Sequence, residues 1–518
     1  MSRLFFATGF VLAWLSSAIG LGLDFPAGDA RVDLKVDNGQ ILNPRLAPPL
    51  GAVHRMDWVE PEETNSTAWA TIPIQDFSET EFELRFSVSE DTTVQGDFMG
   101  PWEANESGKL KRLMVQWVSA KSSKGELTGF SSGEAWHDGR VVCQLKVKAG
   151  EEISLRCVAK VPDRFRDPDA WRPAADSPAF ELAKHFRRGV NLANFLDVPP
   201  GEVWGDNTIR TEDFRQIASE GFDHVRIPVG WHHYVGPGPE YTIGNQIRER
   251  VNSLLDEAER NGLGAVVNVH HFNEFHADPE GQQKKLQKIW EQIATMVRDR
   301  PLNVALEILN EPHDRATTEF MNEFYAEVVP AIRAIDSKRA IIVGPGIFNQ
   351  THELGKLQLP KDDRLIVTLH SYTPHFFTHQ SAFWAGDTKD IRGVVFPGPP
   401  KEPMQIPALL PQYLKDQLER YNLAPSDENP CSIAAIAAEL KLAGDWGRHW
   451  NRPIYLGEFG AFVEVDQPSR SRYCEAVRRE CERQGIGWCL WDWKATFNYW
   501  DRPSQQPLPG MHDALFGK

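Results

Sequence analysis

The chain has 518 residues, 41% hydrophobic and 25% charged, proportions ordinary for a soluble globular protein and unlike those of a disordered chain or a membrane bundle. That length exceeds one core, so two folded units are expected, one of them large enough for a barrel of about 250 residues. The formal net charge of −16, with no basic block, repels polyphosphates and argues against nucleic acid as a partner.

Residues 1–20 read as an export signal: Arg3, an apolar run from Leu4 to Leu15, then the small residues Ser16, Ser17, Ala18 and Gly20. The run is shorter than the roughly twenty residues needed to cross a bilayer. A secreted protein is therefore expected, extracellular, periplasmic or at the cell surface, with no membrane attachment after cleavage near Gly20. Over 21–165, β-rich runs between turns (Glu81 to Val88, Leu113 to Val118, Val141 to Val147 and Ile153 to Ala159) predict a smaller all-β sandwich domain. Trp102, Trp117 and Trp136 are candidates for a carbohydrate-binding strip there; the alternative is a purely structural domain. Of the six cysteines, Cys143 and Cys157, on neighbouring predicted strands, are a candidate disulfide pair. No CxxC or Cys/His cluster suggests a metal site. The stretch 166–186, rich in Asp, Arg, Pro and Ala, reads as a linker.

From 187 to 518 strands alternate with amphipathic helices. The strand candidates are Gly189 to Phe195, His224 to Val229, Ala265 to His270, Ala305 to Leu309, Ala340 to Val343, Leu365 to His370, Ile454 to Glu458 and Gly487 to Trp491. Helical spacing is plain in Ile243, Ile247, Val251, Leu254, Leu255 and Ala258, and in Phe320, Phe324, Val328, Ile332 and Ile335. Eight such units predict an α/β fold of the (β/α)8 TIM-barrel class. A long excursion, about 373–450, interrupts the pattern between the sixth and seventh strands.

Chemistry on such a barrel sits where strands end, so polar residues closing apolar runs are informative. Glu311 closes strand 4 and Glu458 closes strand 7, strands that face each other across a barrel mouth. Two opposed carboxyl groups are what glycoside hydrolysis needs: an acid for the leaving oxygen and a carboxylate for the anomeric centre. Asn310 is placed to bind a substrate hydroxyl, Arg226 to hold Glu458 ionised, and His370 and Tyr372 to tune Glu311 and orient Glu458. Trp491 offers a stacking floor.

Asn-Glu-Pro at 310–312 and Gly-Glu-Phe-Gly at 457–460 resemble glycoside hydrolase family 5, the cellulase family, over the region from Arg188 onward. The resemblance implies Glu311 as acid/base and Glu458 as nucleophile, supported by Arg226, His270, Asn310, His370, Tyr372 and Trp491. His271 and Trp493 remain alternatives to His270 and Trp491. It further implies double displacement through a glycosyl-enzyme without metal or cofactor; retention requires carboxyl groups about 5 to 5.5 Å apart, and inversion roughly 6.5 Å or more. The segment Arg226-Ile-Pro-Val-Gly-Trp231 resembles endoglucanases of that family, so a monomeric endo-β-1,4-glucanase acting on β-glucan is expected. A β-mannanase, xyloglucanase or β-1,3-glucanase is the alternative on the same mechanism; a transglycosylase or an inactive carbohydrate-binding protein is the alternative of another class. Trp204, Trp231, Trp384 and Trp500 are candidate sugar platforms.

Overall fold

The computed structural model describes residues 29–47, 53–55, 67–73, 80–99, 114–123, 137–138, 140–160, 171–204 and 208–517. The export signal expected over 1–20 lies outside them, as do Trp102, Trp136 and the side chain of Trp117.

Ten strands precede the barrel: β1 (Asp29–Val36), β2 (Ile41–Ala47), β3 (Val53–Arg55), β4 (Thr67–Pro73), β5 (Thr80–Val88), β6 (Thr92–Met99), β7 (Met114–Ser122), β8 (His137–Asp138), β9 (Arg140–Val147) and β10 (Ile153–Lys160). They form two antiparallel sheets, ordered β3-β4-β1-β6-β9 and β2-β5-β10-β7-β8. Side chains alternate faces along a strand, and every second position is apolar and buried: Val32, Leu34 and Val36 on β1, Leu84, Phe86 and Val88 on β5, Ile153 and Leu155 on β10. Cys143 and Cys157 are not on neighbouring strands: among the described residues β9 pairs with β6 in one sheet, while β10 pairs with β5 and β7 in the other. Closeness in sequence misled here because the connection between these strands changes sheet. The Cys157 side chain lies outside the described residues.

The barrel strands are β11 (Arg188–Asn191), β12 (His224–Ile227), β13 (Gly264–Asn268), β14 (Val304–Glu307), β15 (Ile341–Val343), β16 (Leu365–Ser371), β17 (Ile454–Phe459) and β18 (Gly487–Leu490). All eight run parallel in chain order, and β18 closes onto β11. Alternation splits their side chains into two sets. Val266, Ala305, Ile342, Ile366, Tyr455 and Cys489 fill the lumen, whereas Val225, Val267, Leu306, Val367 and Leu456 face the helices and pack in the larger core with Trp290, Phe324 and Tyr325. Helices Asn245–Arg260 and Thr318–Arg333 bury the stripes their spacing predicts, Ile247, Val251, Leu254, Leu255 and Ala258 in the first, Phe324, Val328 and Ile332 in the second.

One feature departs from the sequence reading of the connections. The stretch read as a linker holds the helix Pro178–Ala183, and Leu182 with Phe186 joins the lumen cluster, closing the end of the barrel away from the strand C-termini. A proline in the first helical turn starts such a helix at little cost, because its missing N–H would be unpaired there anyway. The excursion after β16 is ordered, with helices Gln412–Leu423 and Ile433–Trp450. Just before the second helix, the carboxylate of Glu428, 2% exposed, takes Arg85 of β5 at 2.8 Å and also meets Arg45 of β2. Replacing Arg85 by Ala leaves a buried carboxylate short of a partner, which is expected to cost about 1–3 kcal/mol. Urea denaturation checks this: the midpoint should fall, and an unchanged midpoint would show that the pair contributes nothing.

Candidate active site

The site is built around Arg226, inward-facing on β12 and fully buried. Each of its five N–H groups is used. Nε and Nη2 donate to Glu307 on β14 (2.6 and 2.9 Å), Nη1 to Asn191 on β11 (2.9 Å) and to Glu458 Oε1 (2.7 Å), and Nη2 also to Asn310 Oδ1 (2.7 Å). Bidentate pairing with Glu307 neutralises the cation in place and fixes the plane of the guanidinium. The remaining donors then aim at Asn191 on the first barrel strand, Asn310 beyond the fourth and Glu458 on the seventh.

Glu458 reaches the lumen through an irregularity. Leu369 of β16 pairs with Leu456, but His370 pairs with Glu458, so β17 carries one extra residue, Gly457. Strict alternation would turn Glu458 outward beside Leu456; the bulge turns it in. A side chain at 457 would have its Cβ 2.7 Å from Thr368 Oγ1 and 3.0 Å from His370 Nε2, so only glycine fits. Asn191 holds the bulge by donating to Gly457 O at 3.0 Å. Glu458 Oε2 accepts from Tyr372 at 2.9 Å.

Glu311 lies four residues beyond the last paired residue of β14, at φ +47°. Its N–H donates to Asn349 Oδ1 at 2.7 Å. Asn349 ends a left-handed turn in which Ile347, Phe348 and Asn349 all have φ between 48° and 59°, a conformation that persists for such residues only when the surroundings over-determine it. Here Phe348 N–H binds Pro312 O at 3.0 Å, and the His313 ring stacks between His276 (3.8 Å) and Phe348 (4.5 Å). His370 Nδ1 lies 2.8 Å from Glu311 Oε1 and 3.7 Å from Glu458 Oε2. One oxygen of each glutamate and one nitrogen of His370 lie within 4.8 Å of one another.

The carboxyl groups are in unlike settings. Burial pushes Glu311 up to about 7, against the weaker pull of His313 and Arg226. Burial also raises Glu458, where His370, Arg226 and the Tyr372 hydroxyl act in the opposite direction. Arg226 thus favours the ionised form of Glu458, as its sequence placement suggests, but burial outweighs it. Burial lowers His370 to about 4, so its ring is neutral at neutral pH, and holds Tyr372 well above the usual phenol value, so it keeps its proton. The Glu311 side chain is 25% exposed to the cleft and Glu458 only 5%.

Beyond β18 and β13, the strands neighbouring those of the two glutamates, Trp491 stacks on His270, rings 9° apart at 5.6 Å. Trp493 is fully buried and donates to Asp213, so Trp491 is the one at the cleft. His270 lies buried beneath it, while His271 reaches outward and meets the edge of Trp204 at 5.4 Å. Asp197 lies 3.7 Å from His271, but its carboxylate already accepts the backbone N–H groups of Phe195 and Asn194 (2.8 and 3.2 Å), which makes it a support for this wall. Trp204 and Trp384 are exposed, as a platform requires; Trp231 and Trp500 are not. Trp231 folds beneath the mouth, where its indole N–H satisfies Asn268 O at 3.0 Å, and Trp500 stacks on Trp493. Both are core.

Three residues of the site escaped the sequence reading. Asn191 and Glu307 carried a usable signal, a polar residue at an inward position within an apolar strand. Asn349 carried none, since it acts from another loop.

The family profile described as Cellulase (glycosyl hydrolase family 5) matches residues 184–496, more than half the chain. Among curated proteins, the chain is 26% identical to Endoglucanase H of Acetivibrio thermocellus over 63% of its own length and 31% of that protein's. It is 29% identical to Endoglucanase C of the same organism over 60% and 91%. Endoglucanase H and the Cellulase/esterase CelE of that organism extend well beyond the match, which spans 31% and 38% of them. Among solved structures, Thermotoga maritima Cel5A, seen with mannotriose and with cellobiose, is 32% identical at TM-score 0.57, over 65% of this chain and all of that one. With the matched span running from just before the first barrel strand to just past the eighth, and enclosing both strand-end glutamates, the chain belongs to the cellulase family, glycosyl hydrolase family 5.

Proposed function

We propose that the protein is a retaining endo-β-1,4-glucanase with Glu311 as acid/base and Glu458 as nucleophile. The observation that carries this reading is the pair itself: two carboxyl oxygens within 4.8 Å, one group held near neutrality and the other bound by Arg226 and Tyr372. That spacing leaves no room for a water between carboxylate and sugar, as inversion would need, and suits direct attack. Glu458 attacks the anomeric carbon as Glu311 protonates the departing glycosidic oxygen, giving a glycosyl-enzyme and a free chain end. Glu311, now ionised, takes a proton from water, the water oxygen bonds to the anomeric carbon, and the bond to Glu458 breaks. Asn310, its Oδ1 committed to Arg226, has its amide N–H groups left for a substrate hydroxyl.

The names of the relatives support β-1,4-glucan as substrate, and the mannotriose bound to Cel5A of Thermotoga maritima favours β-mannan as a second one. We read residues 21–165 as a sandwich domain made of the two sheets, and the first twenty residues as the signal for secretion. No helix among the described residues is long and apolar enough to cross a membrane.

Glu311→Gln and Glu458→Gln should each fold and lose several orders of magnitude in kcat on β-glucan. Near-normal turnover by either would falsify the assignment. The two fail differently, because a leaving group of low pKa needs no acid. A dinitrophenyl β-cellobioside should still glycosylate Glu311→Gln, seen as a burst of dinitrophenol, and give no burst with Glu458→Gln.

The pH profile follows from the same groups. Activity should fall as pH rises through about 7, where Glu311 loses the proton it must give. It should fall again on acidification, at a pH above the ordinary carboxylate value, as Glu458 becomes neutral. A kcat/KM profile flat from neutrality to pH 9 would contradict the role given to Glu311. Reducing-sugar release from carboxymethylcellulose, lichenan, xyloglucan, mannan and laminarin checks the substrate: activity on carboxymethylcellulose and lichenan is expected, and activity on mannan alone would overturn the glucanase reading while leaving the mechanism.

A further inference from the structure

The excursion after β16 carries a carboxylate that touches neither glutamate yet joins the segments holding both. Glu439 lies on the helix Ile433–Trp450. Its Oε1 accepts from Thr351 Oγ1 at 3.3 Å and its Oε2 from Ser371 Oγ at 3.0 Å; the Thr373 side chain is a third partner. Thr351 follows the left-handed turn two residues after Asn349, whose Oδ1 takes the Glu311 N–H. Ser371 stands between His370, bonded to Glu311, and Tyr372, bonded to Glu458.

We propose that Glu439 is a positioning residue for the catalytic pair, locking the loop after β15 to the end of β16 so that Asn349, His370 and Tyr372 hold Glu311 and Glu458 at their working separation.

Docking a helix on a barrel needs only apolar contacts, and this helix has them in Ile436, Leu440, Ala443 and Trp446. A carboxylate partly withdrawn from water is the more costly choice, and burial does push Glu439 above its ordinary value even with three hydroxyl partners. What it adds is direction: hydrogen bonds fix the orientation of two segments where apolar contact would let them slide. The turn it restrains is the strained one at 347–349, which needs outside support to persist. Small misplacement of reacting groups is enough to matter, since about 1 Å can cost on the order of a hundredfold in rate.

The test is steady-state kinetics on carboxymethylcellulose with thermal melts on the same samples. Glu439→Leu should lower kcat by about tenfold or more with KM little changed, and Glu439→Gln, which keeps one acceptor oxygen, should recover part of the loss. A Thr351→Val, Ser371→Ala double variant removes two of the three donors, with the only one from the loop after β15 among them, and leaves the helix intact; it should reproduce the kcat loss without a matching fall in melting temperature, and it decides the matter alone if Glu439→Leu does not fold. Unchanged kcat in the double variant, or a loss in every variant that merely tracks melting temperature, overturns the proposal. Because the inference rests on the roles given to Glu311 and Glu458, Glu311→Gln is assayed alongside. An inactive Glu311→Gln beside a fully active double variant rejects the positioning role only; an active Glu311→Gln rejects both.

Discussion

The residues at the mouth of this barrel are organised around a cation shut off from the protein surface. Arg226 is fully buried, and each of its N–H groups is taken by a named acceptor. A buried guanidinium is tolerable only when paired and fully hydrogen-bonded, so its presence dictates its surroundings: Glu307 to balance the charge, Asn191 and Asn310 to take neutral bonds, and Glu458 for the donor that remains. The planarity of the group carries orientation from strands 1 and 4 to strand 7. Glu458 sits where Arg226 needs an acceptor, and that is the position the proposed mechanism gives to the nucleophile.

The two glutamates differ because different structures hold them. Glu458 is recessed in a glycine-dependent bulge between β16 and Trp491, with a cation and a phenol on its oxygens. Glu311 sits in a left-handed position beyond its strand, more open to the cleft, and is steadied by an asparagine from the next loop. His370 lies between them, kept neutral by burial. Its neutrality matters, since a charged imidazolium would lower Glu311 and favour loss of the proton that the proposed mechanism needs there.

The parts outside the barrel bear on the same site. The excursion anchors at one point on the sheets, through Glu428 with Arg45 and Arg85, and at another on the barrel, through Glu439. Its interruption of the regular alternation is therefore packed structure, and the preceding sheets reach the barrel partly through it.

The sequence by itself determined the barrel and marked the polar residues at its mouth. Periodicity marked all eight strands to within a few residues, because buried parallel strands must be apolar and their helices must be striped. Polar residues ending those strands marked Arg226, His270, Asn310, Glu311, His370, Tyr372, Glu458 and Trp491, because an apolar strand tolerates such residues only at its solvent end or in a paired network. Tertiary structure alone decided the rest. The alternation rule sends Glu458 outward, and only the register slip at Gly457, visible once β16 and β17 are paired, brings it in. Trp204 and Trp231 are alike in sequence, yet one is exposed and the other is core, because exposure depends on what packs above. Asn349, Glu439 and the separation of Cys143 from Cys157 into different sheets are contacts or topology between distant segments, and no local pattern encodes which distant segment a residue will meet.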